Sequence, residues 1–181
     1  MINTENFSDK FQDIKKVNFH SYQDLRGSFL KIHESKELET VMPKIDEVYL
    51  SNSKKNVIRG IHFQKTPHQL SKLVTCISGK IMDLFIDLRK NSKYFGCFEM
   101  IELSESDKFS LLIPEGFGHG FSVLSDSATL LYCQTGSYER NYEDGIHPLS
   151  LDTDWCVDEA IISERDSKLP IFNNKDERFF L

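Results

Sequence analysis

No two cysteines in this chain are spaced as CxxC, and no two histidines as HxH. The four cysteines, Cys76, Cys97, Cys133 and Cys156, lie far apart. That distribution is poor for a zinc site and for a disulfide framework, and two or three of the four are expected as small core residues in strands. No apolar run approaches the eighteen residues of a membrane span, and the opening MINTENFSDKFQ is too polar for a signal peptide. A soluble cytoplasmic protein without a membrane partner is the expectation. Basic charge is also short: the net charge of -6 repels a phosphate backbone and excludes broad nucleic-acid binding. It leaves room for a small anion in a locally cationic pocket. Repeats, low-complexity tracts and Pro/Gly-rich linkers are missing too, so residues 1–181 read as a single domain.

What the chain does have is aromatic and β-forming. Fourteen Phe and six Tyr within a 39% hydrophobic composition argue for a packed globular core. Residues 14–19 read as a strand, Asp24-Leu25-Arg26-Gly27 as a turn, and residues 28–33 as a second strand. Residues 36–42 suggest a short helix stopped before Pro43, and residues 46–51 another strand. Residues 72–78 and 80–88 flank Ser78-Gly79 as a tight hairpin. In the second arm Met82, Leu84, Ile86 and Leu88 share one face, and Asp83, Phe85 and Asp87 the other. Strands at 97–103 and 109–113 follow, then a hairpin made of 120–124, Ser125-Asp126-Ser127 and 128–135. The tail suggests short helical turns at 159–166 and 175–180. Many short strands with turn punctuation predict an all-β sandwich or barrel.

Chemistry-bearing residues gather in VIRGIHFQKTPHQLSK, residues 57–72. Arg59, His62, His68 and Lys72 stand there among strand-forming Val57, Ile58, Ile61 and Phe63. Cations pointing into a barrel cost stability unless they are paired, so the stretch is either a solvated surface strand or half of a site. Arg59 and His62 are three apart, and an ideal strand sends them to opposite faces. If both line one pocket, a bulge is required between them, and Gly60 is the place for it. Further on, His119 sits in the Gly-flanked loop IPEGFGHGF. Tyr132 shares a face with Leu130 and Gln134. Small barrels that hold iron or manganese use two histidines at HxH spacing, a nearby carboxylate and a later histidine. With His62 and His68 six apart, no metal is expected.

Together RGIHFQ (59–64), SKLVTCISGKIMDLFIDLRKNSKYFG (71–96), IPEGFGHGF (113–121) and the strand ending in Tyr132 resemble the dTDP-4-dehydrorhamnose 3,5-epimerase family. Asp24-Leu25-Arg26-Gly27 resembles its D-x-R-G element and Ile162-Ser163-Glu164-Arg165-Asp166 its C-terminal S-x-(K/R)-D element, in register over residues 20–170. Several long motifs in one order are specific in a way a lone short pattern is not. The resemblance implies a cupin-type jelly-roll barrel with short helical segments near both ends. It also implies no metal or other cofactor, and a homodimer acting on a nucleotide-diphosphate-linked 4-keto sugar. By resemblance His62 is the base, Asp166 its carboxylate partner, Lys72 the enolate stabiliser and Tyr132 the acid on the opposite face. Arg59 and His119 match substrate contacts, Glu143 a binding glutamate, and Arg165 a lysine-or-arginine position. Arg26 would reach the nucleotide from the partner subunit. A surface polysaccharide or glycan precursor is the usual destination of the product.

The departures from the family fall on its nucleotide contacts. Lys31 stands where a glutamate is usual, and Glu47-Val48-Tyr49 where the family has Q-D-N. Between Gly145 and Trp155 the chain lacks the family's first Trp and is about two residues shorter. Exchanged polar partners change which base a site accepts. A GDP-linked 4-keto sugar, 6-deoxy-heptose types included, therefore stands beside a dTDP-linked one. Epimerisation at C3, C5 or both is expected. A 3,4-ketoisomerase, a non-catalytic sugar-nucleotide-binding barrel and a metal-dependent oxygenase are the alternatives, the last disfavoured by the missing HxH.

Overall fold

The computed structural model describes residues 3–32, 34, 38–42 and 44–181. Its strands are β1 (Thr4–Asn6), β2 (Lys15–Asn18), β3 (His20–Asp24), β4 (Gly27–Lys31), β5 (Glu47–Lys54), β6 (Val57–Gln64), β7 (Lys72–Ser78), β8 (Lys80–Asp87), β9 (Phe98–Ser104), β10 (Phe109–Ile113), β11 (Phe117–Val123), β12 (Ser127–Gln134), β13 (Glu143–Gly145) and β14 (Ile161–Ile162). One sheet runs β1-β2-β10-β7-β12-β5. The second runs β13-β6-β11-β8-β9, with β14 added in parallel to β6. Among the described residues, strands β3 and β4 pair only with each other.

The expected all-β class holds, and the helical segments are reduced to single turns. In the tail the helical turn expected at 159–166 is corrected to strand Ile161–Ile162 with a 3-10 turn only at Asp166–Lys168, and the one expected at 175–180 is the 3-10 turn Glu177–Phe179. The expected helix at 36–42 falls partly outside the described residues. Within them, the amides of Val41 and Met42 close one turn on the Leu38 carbonyl. Among the described residues no helix is long and apolar enough to cross a membrane. The cysteines are unbridged, with Cys76 and Cys133 buried in strands.

Two expected hairpins are corrected. β7 lies in the first sheet and β8 in the second, so the chain at Ser78-Gly79 crosses between sheets. The same is true at 125–127, because β11 pairs with β6 and β8 while β12 pairs with β5 and β7. A short turn signal is equally compatible with both outcomes. Which strand the next one joins is decided by burying both faces of the sandwich. Gly79 suits its crossing: its φ is +80°, and a Cβ there would lie 2.1 Å from the Ser127 carbonyl oxygen.

The alternation in β8 shows how the layers are built. Phe85 and Ile81 face inward and pack with Val74, Leu111, Leu130 and Phe121 from both sheets. Leu84, Ile86 and Leu88 face outward, where the C-terminal tail covers them with Ile146, Trp155 and Phe179. Each such aliphatic side chain contributes about 1.5–3 kcal/mol when fully buried. A strand covered on both faces therefore reads as nearly continuous apolar sequence. Asp83 interrupts the inward face at 0% exposure, and an uncompensated carboxylate there would be costly.

The bulge expected in β6 is present. On β11, His119 pairs with His62 and Phe121 pairs with Arg59, so that the single residue Gly120 faces both Gly60 and Ile61. The extra residue between Arg59 and His62 turns both toward the same cavity. Gly60 sits in this bulge with φ +108°, and a Cβ there would lie 2.6 Å from the Gly120 Cα. Gly60→Ala is expected to lose about 1–3 kcal/mol from backbone strain, with further loss from that overlap. Chemical denaturation checks it; a midpoint unchanged from the parent would contradict this account of the bulge.

Candidate active site

The site residues arrive on strands of both sheets. β6 delivers Arg59 and His62, β7 delivers Lys72, β11 delivers His119, β12 delivers Tyr132 and β5 delivers Tyr49. With Ser51, Gly120 and Phe121 these residues line a cavity of about 190 Å³ between the two sheets.

His62 and Asp166 form the first acid-base pair. His62 Nε2 lies 2.8 Å from Asp166 Oδ1. The Gly60 amide donates to Asp166 Oδ2 at 3.2 Å, and the Asp166 amide donates to Ser163 Oγ at 3.0 Å. The 3-10 turn in the tail is thus tied to the bulge by its own carboxylate. Burial pushes the Asp166 carboxyl up. The hydrogen bond and charge of His62, the Gly60 amide and Arg165 outweigh that, and leave it below the ordinary carboxylate range. An ionised Asp166 assigns the ring proton to Nε2 and leaves Nδ1 as the basic lone pair.

A second buried pair lies deeper. His119 Nε2 is 2.9 Å and 3.1 Å from the two Asp83 oxygens. Full burial raises the Asp83 carboxyl, while the charges of His119 and Lys72 pull it back. Asp83 was not singled out from the sequence. Its signal was there, since alternation in β8 puts it on the inward face among apolar residues. Lys72 is desolvated, which lowers its ammonium, and Glu143 and Asp83 oppose that shift. Tyr132 is 6% exposed. Burial first, and the Asp83 charge second, push its phenol well above the ordinary tyrosine range. It is therefore held as a neutral donor. The cavity brings together carboxylate-backed imidazoles, a desolvated cation and a neutral phenol, groups able to take a proton, hold an oxyanion and return a proton.

The remaining expected residues divide. Arg59 borders the cavity, its Nε donating to Ser53 Oγ at 2.8 Å. Glu143 and Arg165 form an ion pair at 2.6 Å near the Asp166 turn. The Tyr138 hydroxyl donates to Glu143 at 2.5 Å, a rim contact that sequence reasoning missed and for which no periodic signal existed. Glu47 accepts from Gln134 Nε2 at 3.0 Å and from the Tyr138 amide at 3.0 Å. Tyr49 donates to Gln134 at 2.9 Å. His68 packs its ring on Tyr142 at 4.2 Å, outside the cavity lining.

Arg26 and Lys31 are not brought to the cavity. Arg26 pairs with Asp24 at 2.6 Å and Lys31 with Glu34 at 3.0 Å, both on or beside the β3–β4 hairpin. The hairpin shapes an open concavity of about 440 Å³ lined by Tyr22, Asp24, Arg26, Gly27, Ser28 and Phe29. It is larger than the cavity between the sheets but holds none of the proton-transfer groups. Among the described residues, no group of three or more His, Cys, Asp or Glu is placed to hold a metal ion.

Comparison with known proteins places the chain in a family and a fold. The sequence profile of the family described as dTDP-4-dehydrorhamnose 3,5-epimerase matches residues 8–174. The dTDP-4-dehydrorhamnose 3,5-epimerase of Shigella flexneri is 38% identical over 150 residues, 80% of this chain and 83% of that one. A dTDP-4-dehydrorhamnose 3-epimerase of Streptomyces niveus is 38% identical over 148 residues, 79% of this chain and 72% of that one. The crystal structure of a dTDP-6-deoxy-D-glucose-3,5-epimerase from Legionella pneumophila Philadelphia 1, in complex with dTDP-4-keto-L-rhamnose, superposes with a TM-score of 0.90. It is 31% identical and covers 99% of this chain and 97% of that one.

Proposed function

This chain belongs to the dTDP-4-dehydrorhamnose 3,5-epimerase family, of cupin type, and from that premise we propose that it inverts C3, C5 or both of a nucleotide-diphosphate-linked 4-keto-6-deoxy sugar. Membership makes it an epimerase, an isomerase of carbohydrates. The observation that carries the finer reading is the His62–Asp166 pair at 2.8 Å, on the sheet opposite the one that carries Tyr132 across a shared cavity.

The C4 ketone acidifies the hydrogens on its neighbouring carbons, yet their removal at neutral pH still needs a base in contact with the proton. His62 Nδ1 takes that proton, and the ionised Asp166 stabilises the imidazolium and holds the ring's orientation. The electron pair moves onto the C4 oxygen, where Lys72 meets the developing charge in a partly dry site. Tyr132 returns a proton to the same carbon from the other face, which inverts it. Its phenolate is then reprotonated as the imidazolium releases the abstracted proton, so the net change is configuration alone. Arg59, His119, Glu143 and Arg165 are assigned to holding the substrate.

The relatives' names favour a dTDP-linked substrate. A GDP-linked sugar is the second reading, and the observation behind it is the state of the changed positions. Glu47 and Tyr49 are both bonded to Gln134, while Lys31 stands beside Glu34. Calorimetric titration with dTDP and GDP separates the two, and clear preference for dTDP removes the second reading. The reaction itself is tested by incubating the enzyme with each 4-keto sugar in deuterated water and locating deuterium by NMR. Uptake at C3 or C5 with inversion is expected. No uptake from any such substrate would overturn the epimerase, and migration of the carbonyl to C3 would establish a ketoisomerase.

The proposal includes a homodimer with Arg26 delivered to the partner's nucleotide. Its support is the β3–β4 hairpin, which exposes Tyr22, Leu25 and Phe29 and joins neither sheet. Edge strand β5 likewise exposes Val48 and Leu50, an apolar patch of the kind that marks contact surfaces. Sedimentation equilibrium is expected to give twice the chain mass; a monomer at micromolar concentration would sink this part.

A further inference from the structure

We propose that Tyr49 is a positioning residue that braces the ring of Tyr132 and thereby sets how often proton removal ends in inversion. The inference rests on the proposed role of Tyr132 and assigns Tyr49 a part beyond nucleotide contact.

The two tyrosines are direct cross-strand partners between β5 and β12. Their rings stack with centroids 4.9 Å apart and planes 13° from parallel. On another side Tyr132 meets the edge of His119 at 6.1 Å and 70°. A tyrosine ring on a strand otherwise has freedom about two side-chain bonds, and its oxygen sweeps several ångströms as they rotate. An acid must be held far more tightly than that, because a displacement of about 1 Å costs on the order of a hundredfold in rate. Stacking on a ring that is itself fixed supplies the restraint.

Tyr49 is fixed at its far end. Its hydroxyl donates to Gln134 Oε1 at 2.9 Å, and Gln134 Nε2 donates to Glu47 Oε2 at 3.0 Å. The other Glu47 oxygen accepts from the Tyr138 amide at 3.0 Å. Gln134 is 3% exposed, so this chain of bonds is anchored in the sandwich. The same bond commits the Tyr49 proton to Gln134 and keeps it from serving as a second acid. An asparagine in place of Tyr49 has no ring to stack on Tyr132.

The enolate has two fates in solvent deuterium. Return from His62 on the original face gives exchange without inversion, and delivery from Tyr132 gives inversion. The ratio of inverted product to deuterium incorporated therefore reads the placement of Tyr132 and is insensitive to a general loss of folded enzyme. Tyr49→Asn is expected to lower that ratio about ten- to a hundredfold. Tyr49→Phe, which keeps the stack and loses the Gln134 bond that fixes the ring, is expected to restore part of it. An unchanged ratio in Tyr49→Asn overturns the proposal, as does a parallel fall of exchange and inversion with a raised KM, which would make Tyr49 a substrate contact. A second readout needs no substrate. In protein labelled with 3-fluorotyrosine, the Tyr132 fluorine signal is expected to show faster ring rotation in Tyr49→Asn than in the parent. Unaltered rotation overturns the brace even if no epimerase activity is found, so the two readings fail separately.

Discussion

His62→Ala is expected to lower epimerisation by about 10²–10⁴-fold, the range supplied by a positioned general base. The loss should fall on deuterium exchange and inversion alike, because without Nδ1 no enolate forms. The environment explains why so much rests on one ring. Asp166 is tied to the Gly60 amide and to Ser163 while it faces His62 at 2.8 Å, so the imidazole is oriented before substrate arrives. Tyr132→Phe should behave differently, retaining exchange and losing inversion, since only the return of the proton depends on the phenol. Undiminished exchange in His62→Ala would remove the base from this mechanism. Equal loss of exchange and inversion in Tyr132→Phe would remove the two-face model and leave the base in place.

Lys72→Met is expected to cost about 10²–10³-fold in kcat, the size of losing one preorganised donor to a developing oxyanion, with a smaller change in KM. Methionine keeps much of the side-chain volume, so the loss reports charge rather than packing. A pH signature accompanies it. Burial lowers the Lys72 ammonium, and Glu143 and Asp83 only partly restore it. The parent should thus lose activity on the alkaline side below the ordinary lysine range, as the ammonium gives up its proton. That limb should vanish from the residual rate of Lys72→Met. A variant that keeps the parental kcat, or that keeps the same alkaline limb, would assign the oxyanion contact elsewhere.

Arg59, His62 and Lys72 were readable as a group because they are local in the chain, whereas His119, Tyr132 and Asp166 were joined to them only by the resemblance to a family. RGIHFQ and the lysine at 72 lie within one short stretch, and three-residue spacing between Arg59 and His62 required a bulge if both were to line one pocket. The pairing of His119 with His62 and of Phe121 with Arg59 supplies it. Asp83 escaped notice although strand alternation had placed it on the inward face. A lone carboxylate among apolar neighbours acquires a role only when its partner is known, and His119 is 36 residues away. Tyr138 and Gln134 escaped for a related reason: their partners, Glu143 and Glu47, are set by loop and cross-strand geometry.

The amino-acid sequence by itself determined the β character, the two faces of β8 and the need for a kink at Gly60 if Arg59 and His62 share a pocket. These follow from periodicity and from side-chain chemistry, which are properties of neighbouring residues. Only the tertiary structure decided that the turns at Ser78-Gly79 and 125–127 cross between sheets rather than close hairpins. It also decided that Asp83 belongs with His119, that Tyr49 lies flat on Tyr132, and that Arg26 stands apart from the cavity. Those outcomes depend on which strands share a ladder and which faces are buried together. That is settled by packing two sheets around one core, between residues that no local pattern relates.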